Sequence, residues 1–132
     1  MEGNEDFWGV LSEIGDNLNY ICSLAIAMCE DIDVDEAIKV VIKENRRYYR
    51  CLFDSLSIVL QRALYGLALS GKNAASVDVQ MQSGLSATNT SSALFRLERQ
   101  GVIVRVGDKK RNVSYKIKDY LFGKWLSNLP LG

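Results

Sequence analysis

The sequence predicts a mainly α fold with a small β-hairpin, and three observations carry that expectation. Apolar residues recur at three- and four-residue spacing along most of the chain, the signature of helices with one buried face. A β-branched run, Val102, Ile103, Val104 and Val106, is followed by Val113, Tyr115 and Ile117 in strict alternation, the pattern of two strands. With 132 residues, 48% of them hydrophobic and 24% charged, the chain can bury a core as one compact domain or as a small domain with a helical extension.

The first helix is expected over 16–30, where Leu18, Ile21, Cys22, Ala25 and Cys29 share a face and the second half is apolar nearly all round. Cys22 and Cys29 are therefore expected as buried, reduced thiols, and with Cys51 they form no C-x-x-C pair or even disulfide set. A second helix starts at Asp33, which can cap the backbone amides, with Glu36 three residues on completing a capping box. Its expected core face is Ala37, Val40, Val41, Tyr48 and Leu52. Lys39, Lys43, Arg46, Arg47 and Arg50 lie on its polar face, read first as a solvated surface.

Ser55 or Ser57 caps the next helix, whose Ile58, Leu60, Ala63, Leu64, Leu67 and Ala68 run up to Gly71. After a connector at 72–75, a brief helix is expected over 76–83, with Val77, Val79 and Met81 available for the core. Gly84 breaks it, Leu85 anchors the turn, and Ser86 caps a helix ending at Gln100 and Gly101. Within that helix Thr90, Ala93, Leu94 and Leu97 share one face, so Thr88, Asn89, Ser91, Ser92, Phe95 and Arg96 point elsewhere. Two strands then flank Gly107, Asp108, Lys109, Lys110, Arg111 and Asn112, and Asp119 caps a last amphipathic helix carrying Leu121, Phe122, Trp125 and Leu126. Two helices joined by a short Gly-containing turn, a hairpin with a cationic tip and a closing helix make a winged helix-turn-helix over 55–132. An acidic helical segment, 1–54, precedes it.

Charge divides the chain as sharply as pattern does. Residues 1–54 hold five Lys/Arg against twelve Asp/Glu, a net −7, whereas residues 55–132 hold eleven against four, a net +7. A basic half of this kind meets a polyanion, or else is neutralised by the acidic half. No apolar run approaches the roughly 20 residues of a membrane span. Glu2, Glu5 and Asp6 stand where a signal peptide has positive charge, so the expected location is cytoplasmic.

The run Leu85-Ser86-Ala87-Thr88-Asn89-Thr90-Ser91-Ser92-Ala93-Leu94-Phe95-Arg96-Leu97-Glu98-Arg99-Gln100-Gly101-Val102-Ile103 resembles the recognition helix and first strand of winged-helix regulators. Asp119-Tyr120-Leu121-Phe122-Gly123-Lys124-Trp125-Leu126 resembles the D-P-x-F-x-x-W-L ending of prokaryotic AAA/STAND-type ATPases, with Tyr120 in place of their usual Pro. Upstream, Asn19-Tyr20-Ile21, Asp35-Glu36-Ala37, Tyr48-Tyr49, Ser55-Leu56-Ser57 and Leu60-Gln61-Arg62-Ala63-Leu64 are similar to the lid-to-winged-helix passage of the same proteins. The resemblance implies that residues 16–54 belong to a helical lid, that the chain is the C-terminal part of an ATPase-linked regulator, and that nucleotide chemistry resides in an upstream module.

The chain itself carries no G-x-x-x-x-G-K-[ST], no His and no nucleophile motif, so no enzyme activity, cofactor or metal is expected of it. Asp31, Asp33 and Asp35 alternate like the opening of a calcium loop, but Glu36 and Ile42 stand where Gly and Glu are required. The expected partner is double-stranded DNA. Thr88, Asn89, Ser91, Ser92 and Arg96 would reach base edges or phosphates from the recognition helix, and Lys109, Lys110 and Arg111 would reach the backbone from the wing. The alternative is a protein-interaction or regulatory module of the same ATPase with Phe95 as contact anchor, since this fold does not dictate its use.

Overall fold

Helix caps and positive-φ glycines divide the chain much as the sequence suggests. In the computed structural model, residues 7–15, 17–29, 32–71, 73–107 and 113–129 are described. Their elements run α1 (Phe7–Ile14), α2 (Leu18–Met28), α3 (Val34–Asp54), α4 (Ile58–Ser70), α5 (Ser76–Ser83), α6 (Ala87–Arg99), β1 (Ile103–Val106), β2 (Ser114–Ile117) and α7 (Tyr120–Ser127). The fold is mainly helical with a small two-stranded antiparallel sheet. It divides into two compact units, Met1–Tyr49 and Arg50–Gly132, the boundary falling within α3. None of the described helices is long and apolar enough to cross a membrane.

The first unit contains α1, a helix the sequence reading did not foresee, which buries Val10 and Ile14 one helical turn apart. Asn17 caps α2 by accepting from the Tyr20 amide at 3.1 Å, and α2 then buries Tyr20, Leu24 and Ala27. That corrects the expected face: Leu18, Cys22, Ala25 and Cys29 are exposed, and all three thiols, Cys51 included, are free and exposed rather than buried. An apolar residue set encircling a helix leaves its orientation to the larger side chains, and here the Tyr20 and Tyr49 hydroxyls meet at 2.7 Å in a buried hydrogen bond.

The same pairing resets α3. Asp33 caps it, accepting from the Glu36 amide at 2.9 Å as expected, but its first-unit core face is Val34, Ala37, Ile38, Val41 and Tyr49, while Val40 and Tyr48 are exposed. The two faces share Ala37 and Val41 and differ by a rotation of roughly 50°. The face that is buried carries the aromatic residue with a buried hydroxyl partner.

In the second unit α4 is the central helix, touching α5, α6, α7 and β2. Ser57 caps it, accepting from the Leu60 amide at 3.4 Å, and it buries Leu60, Ala63, Leu64, Gly66 and Leu67, leaving the expected core residue Ile58 exposed. Around it lie Val79, Leu85, Ala93, Leu94, Leu97, Ile103, Leu121, Phe122 and Leu126, all buried. Helix α5 contributes Val79 alone, because Val77 and Met81 face outward. The connector before α5 does more than expected: Ala74 and Tyr115 exchange backbone hydrogen bonds of 3.0 and 2.8 Å, fastening it to β2. The hairpin pairs Ile103 with Ile117 and Val106 with Ser114, and the Phe122 amide donates to Asp119 at 3.0 Å to start α7.

Two close contacts in this unit predict measurable effects. A Cβ placed on Gly66 would lie 3.1 Å from the Val79 carbonyl oxygen and 3.1 Å from the Ser83 Cβ. Gly66→Val should therefore cost about 1–3 kcal/mol by overpacking, read as a lowered thermal midpoint. An unchanged midpoint would show that α4 and α5 can part at little cost. Thr90 is 1% exposed and its Oγ1 is buried with no hydrogen-bond partner among the described residues. A methyl in place of that hydroxyl removes a desolvation cost, so Thr90→Val should stabilise by about 1 kcal/mol. A lower urea midpoint at constant m-value would refute this.

Candidate nucleic-acid interface

The geometry of α6 is set by the turn before it. Arg62 of α4 donates to the Ser83 carbonyl at 2.8 Å, the Leu85 amide donates to Ser83 Oγ at 3.2 Å, and Gly84 takes a left-handed backbone with φ of 72°. A residue with a Cβ would be strained at Gly84 and would also meet the Arg62 guanidinium at 3.0 Å. Leu85 is buried, and Ser86 accepts from the Asn89 amide at 3.1 Å to open α6. The turn thus fixes where α6 begins, and burial of Thr90, Ala93, Leu94 and Leu97 fixes its rotation.

All five residues expected on the recognition helix, Thr88, Asn89, Ser91, Ser92 and Arg96, are exposed. Ser92 and Arg96 border one shallow depression together with Leu60, Phe95, Arg99 and Gln100. Arg99 is the residue that sequence reasoning passed over. The signal was present, since 92, 96 and 99 are four and three apart and so share a face. Its guanidinium lies 5.7 Å from the centroid of the Phe95 ring, a cation–π contact at an exposed site. Arg96 pairs with no carboxylate among the described residues, which leaves its charge available.

Lys109, Lys110 and Arg111 lie outside the described residues. The strands on either side of them are antiparallel, with Arg105 opposite Tyr115 and Val104 opposite Lys116. Arg105 reaches Glu98 of α6 at 3.3 Å, with side chains 50% and 32% exposed, so this pair fastens strand to helix only weakly. Lys118 is exposed beyond β2. Arg62 is exposed, with its guanidinium fastened to the Ser83 carbonyl at the turn described above.

No group of three or more His, Cys, Asp or Glu side chains is gathered to hold a metal among the described residues. Polar and cationic side chains on one helix face, beside an antiparallel hairpin, can donate to phosphate oxygens and to base edges. No family model, curated protein or solved structure matches the chain.

Proposed function

We propose that residues 55–132, within the unit Arg50–Gly132, are a winged helix-turn-helix that binds double-stranded DNA, with α6 as the recognition helix. The observation that carries this reading is the division of α6 into a fully buried face, Thr90, Ala93, Leu94 and Leu97, and a fully exposed polar face, Thr88, Asn89, Ser91, Ser92 and Arg96. The major groove, about 12 Å wide, admits one helix whose diameter with side chains is about 10–12 Å. Asn89 can offer the paired donor and acceptor that match adenine, and Arg96 the fork that matches guanine. Lys109, Lys110 and Arg111, by their sequence position between two antiparallel strands, supply the backbone cations of a wing.

The unit's charge supports the same reading. Residues 50–132 hold twelve Lys/Arg against five Asp/Glu, a net +7, and a field of that sign steers a polyanion toward it. Residues 119–126, with the upstream similarities, support a place at the C-terminal end of an ATPase-linked transcription regulator whose nucleotide-binding module is separate. A second reading, protein recognition without DNA, is favoured by one observation: Phe95 is 56% exposed, next to Arg99.

Fluorescence anisotropy of the full chain on a mixed-sequence duplex separates the two readings. Binding that weakens steeply between low and moderate salt supports the first, because each neutralised phosphate contributes about 0.9 to the salt slope. Absence of binding at low salt overturns it in favour of the second.

A further inference from the structure

The first unit holds eleven Asp/Glu and four Lys/Arg, and all four cations sit on one helix. Lys39, Lys43, Arg46 and Arg47 fall within an arc of roughly 100° of α3 and span about 12 Å of its axis. All four are exposed. Lys39 reaches Glu36 at 3.4 Å with both side chains mostly in solvent, whereas Lys43, Arg46 and Arg47 pair with no carboxylate among the described residues. Like charges three and four residues apart repel and destabilise a helix. Lys39 with Lys43, Lys43 with Arg46, and Lys43 with Arg47 all repel in this way. Glu36 and Glu44 stand three residues before Lys39 and Arg47, yet among the described residues Lys39 is the one cation of the four that a carboxylate reaches.

We infer that this face of α3 is a second contact for the DNA backbone, in which Lys43, Arg46 and Arg47, flanked by Lys39, neutralise phosphates. The inference rests on the DNA-binding reading of the second unit and assigns the first unit a phosphate contact of its own. Lys43, Arg46 and Arg47, clustered on one face and unpaired among the described residues, fit a polyphosphate, which supplies several anions at short regular spacing along one line. The opposite face of the helix, Val34, Ala37, Ile38, Val41 and Tyr49, is buried in protein. It has no free apolar side to insert among lipid chains, which an interfacial membrane helix needs. The contact is sequence-independent, since phosphates position a protein and carry no base identity.

The test titrates four full chains on one mixed-sequence duplex over a salt series: wild type, Lys43→Gln/Arg46→Gln/Arg47→Gln, Lys43→Arg/Arg46→Lys/Arg47→Lys, and Arg96→Ala/Lys109→Ala/Lys110→Ala/Arg111→Ala. Glutamine keeps helix propensity close to that of Lys and Arg, and relief of like-charge repulsion should leave the thermal midpoint unchanged or higher. The glutamine variant should flatten the salt slope by about 2.7, corresponding to three phosphate contacts, and weaken binding at low salt at least ten-fold. The charge-retaining variant should match wild type. Should the triple variant fail to fold, Arg47→Gln alone must still move the slope by about 0.9.

An unchanged slope in the glutamine variant, alongside lost binding in the alanine variant, overturns this contact and leaves the second unit's role intact. Binding lost in the glutamine variant and kept in the alanine variant overturns α6 as the reader and retains α3. No duplex binding by wild type at low salt overturns both. If the glutamine substitutions instead abolish binding to phosphatidylserine vesicles and leave duplex binding unchanged, the stripe serves a lipid surface and the inference is wrong.

Discussion

Phe122→Ala should cost the second unit about 3–5 kcal/mol, the range for deleting a buried Phe side chain. Phe122 is 1% exposed and stacks on Trp125 with ring centroids 5.9 Å apart and planes at 15°. Trp125 in turn meets Phe53 edge-on at 6.3 Å and lies under the Arg50 guanidinium at 5.3 Å. Removing the Phe122 ring takes the support from one side of this stack and leaves a cavity that α7 cannot close. The closing helix is held to its Asp119 cap, and its other two buried anchors are Leu121 and Leu126. Small domains are stable by only about 5–15 kcal/mol, so the variant should sit near its unfolding threshold at room temperature. Urea denaturation followed by Trp125 fluorescence checks this, with Trp8→Phe as background because Trp8 is 73% exposed and would otherwise contribute signal. With an m-value of about 1–2 kcal/mol/M, the midpoint should fall by at least about 1.5 M. A fall worth less than about 1 kcal/mol would mean that the stack is not a structural anchor.

How much of this was legible in the sequence differs between the two units for a physical reason. In the second unit nearly every helix boundary is marked by a residue whose local chemistry admits few alternatives: Ser57, Ser86 and Asp119 accept from backbone amides, and Gly84 and Gly101 take positive φ. Element order and the exposed face of α6 could therefore be read from spacing alone. In the first unit α2 is apolar on both sides and contains no charge at all, so periodicity could not choose between the face of Leu18 and Cys22 and that of Tyr20 and Leu24. The Tyr20 to Tyr49 hydrogen bond decided it, and a contact 29 residues apart leaves no mark on local pattern. The Ala74 bridge to Tyr115 was invisible for a related reason, since a single paired residue has no period. At the candidate interface, helical spacing gave the five polar positions and also holds Arg99 on the face of Ser92 and Arg96, while the depression that these three border with Phe95 and Leu60 depends on packing that spacing does not carry.

Converting Arg96, Lys109, Lys110 and Arg111 together to alanine should weaken duplex binding at about 100 mM salt by two orders of magnitude or more and flatten the salt slope by about 2.7, the share of the three backbone cations. The argument is additive over contacts: each cation that neutralises a phosphate releases condensed counterions, and three such losses multiply in the binding constant, with the loss of the Arg96 base contact on top. Arg96 and the other three should nevertheless separate. It projects from the exposed face of a helix whose rotation is fixed by burial of Ala93 and Leu97. Arg96→Ala alone should therefore cost about 1–3 kcal/mol on a preferred duplex and relax discrimination among sequences. The three cations at 109–111 act on the backbone, so their loss should weaken every duplex alike. Helical content and thermal midpoint should remain those of wild type, because Arg96 is exposed and pairs with no carboxylate among the described residues. A folded quadruple variant that binds duplex as tightly as wild type, with the same slope, would remove α6 and the hairpin from the interface. The exposed ring of Phe95 would then be the surface to follow toward a protein partner.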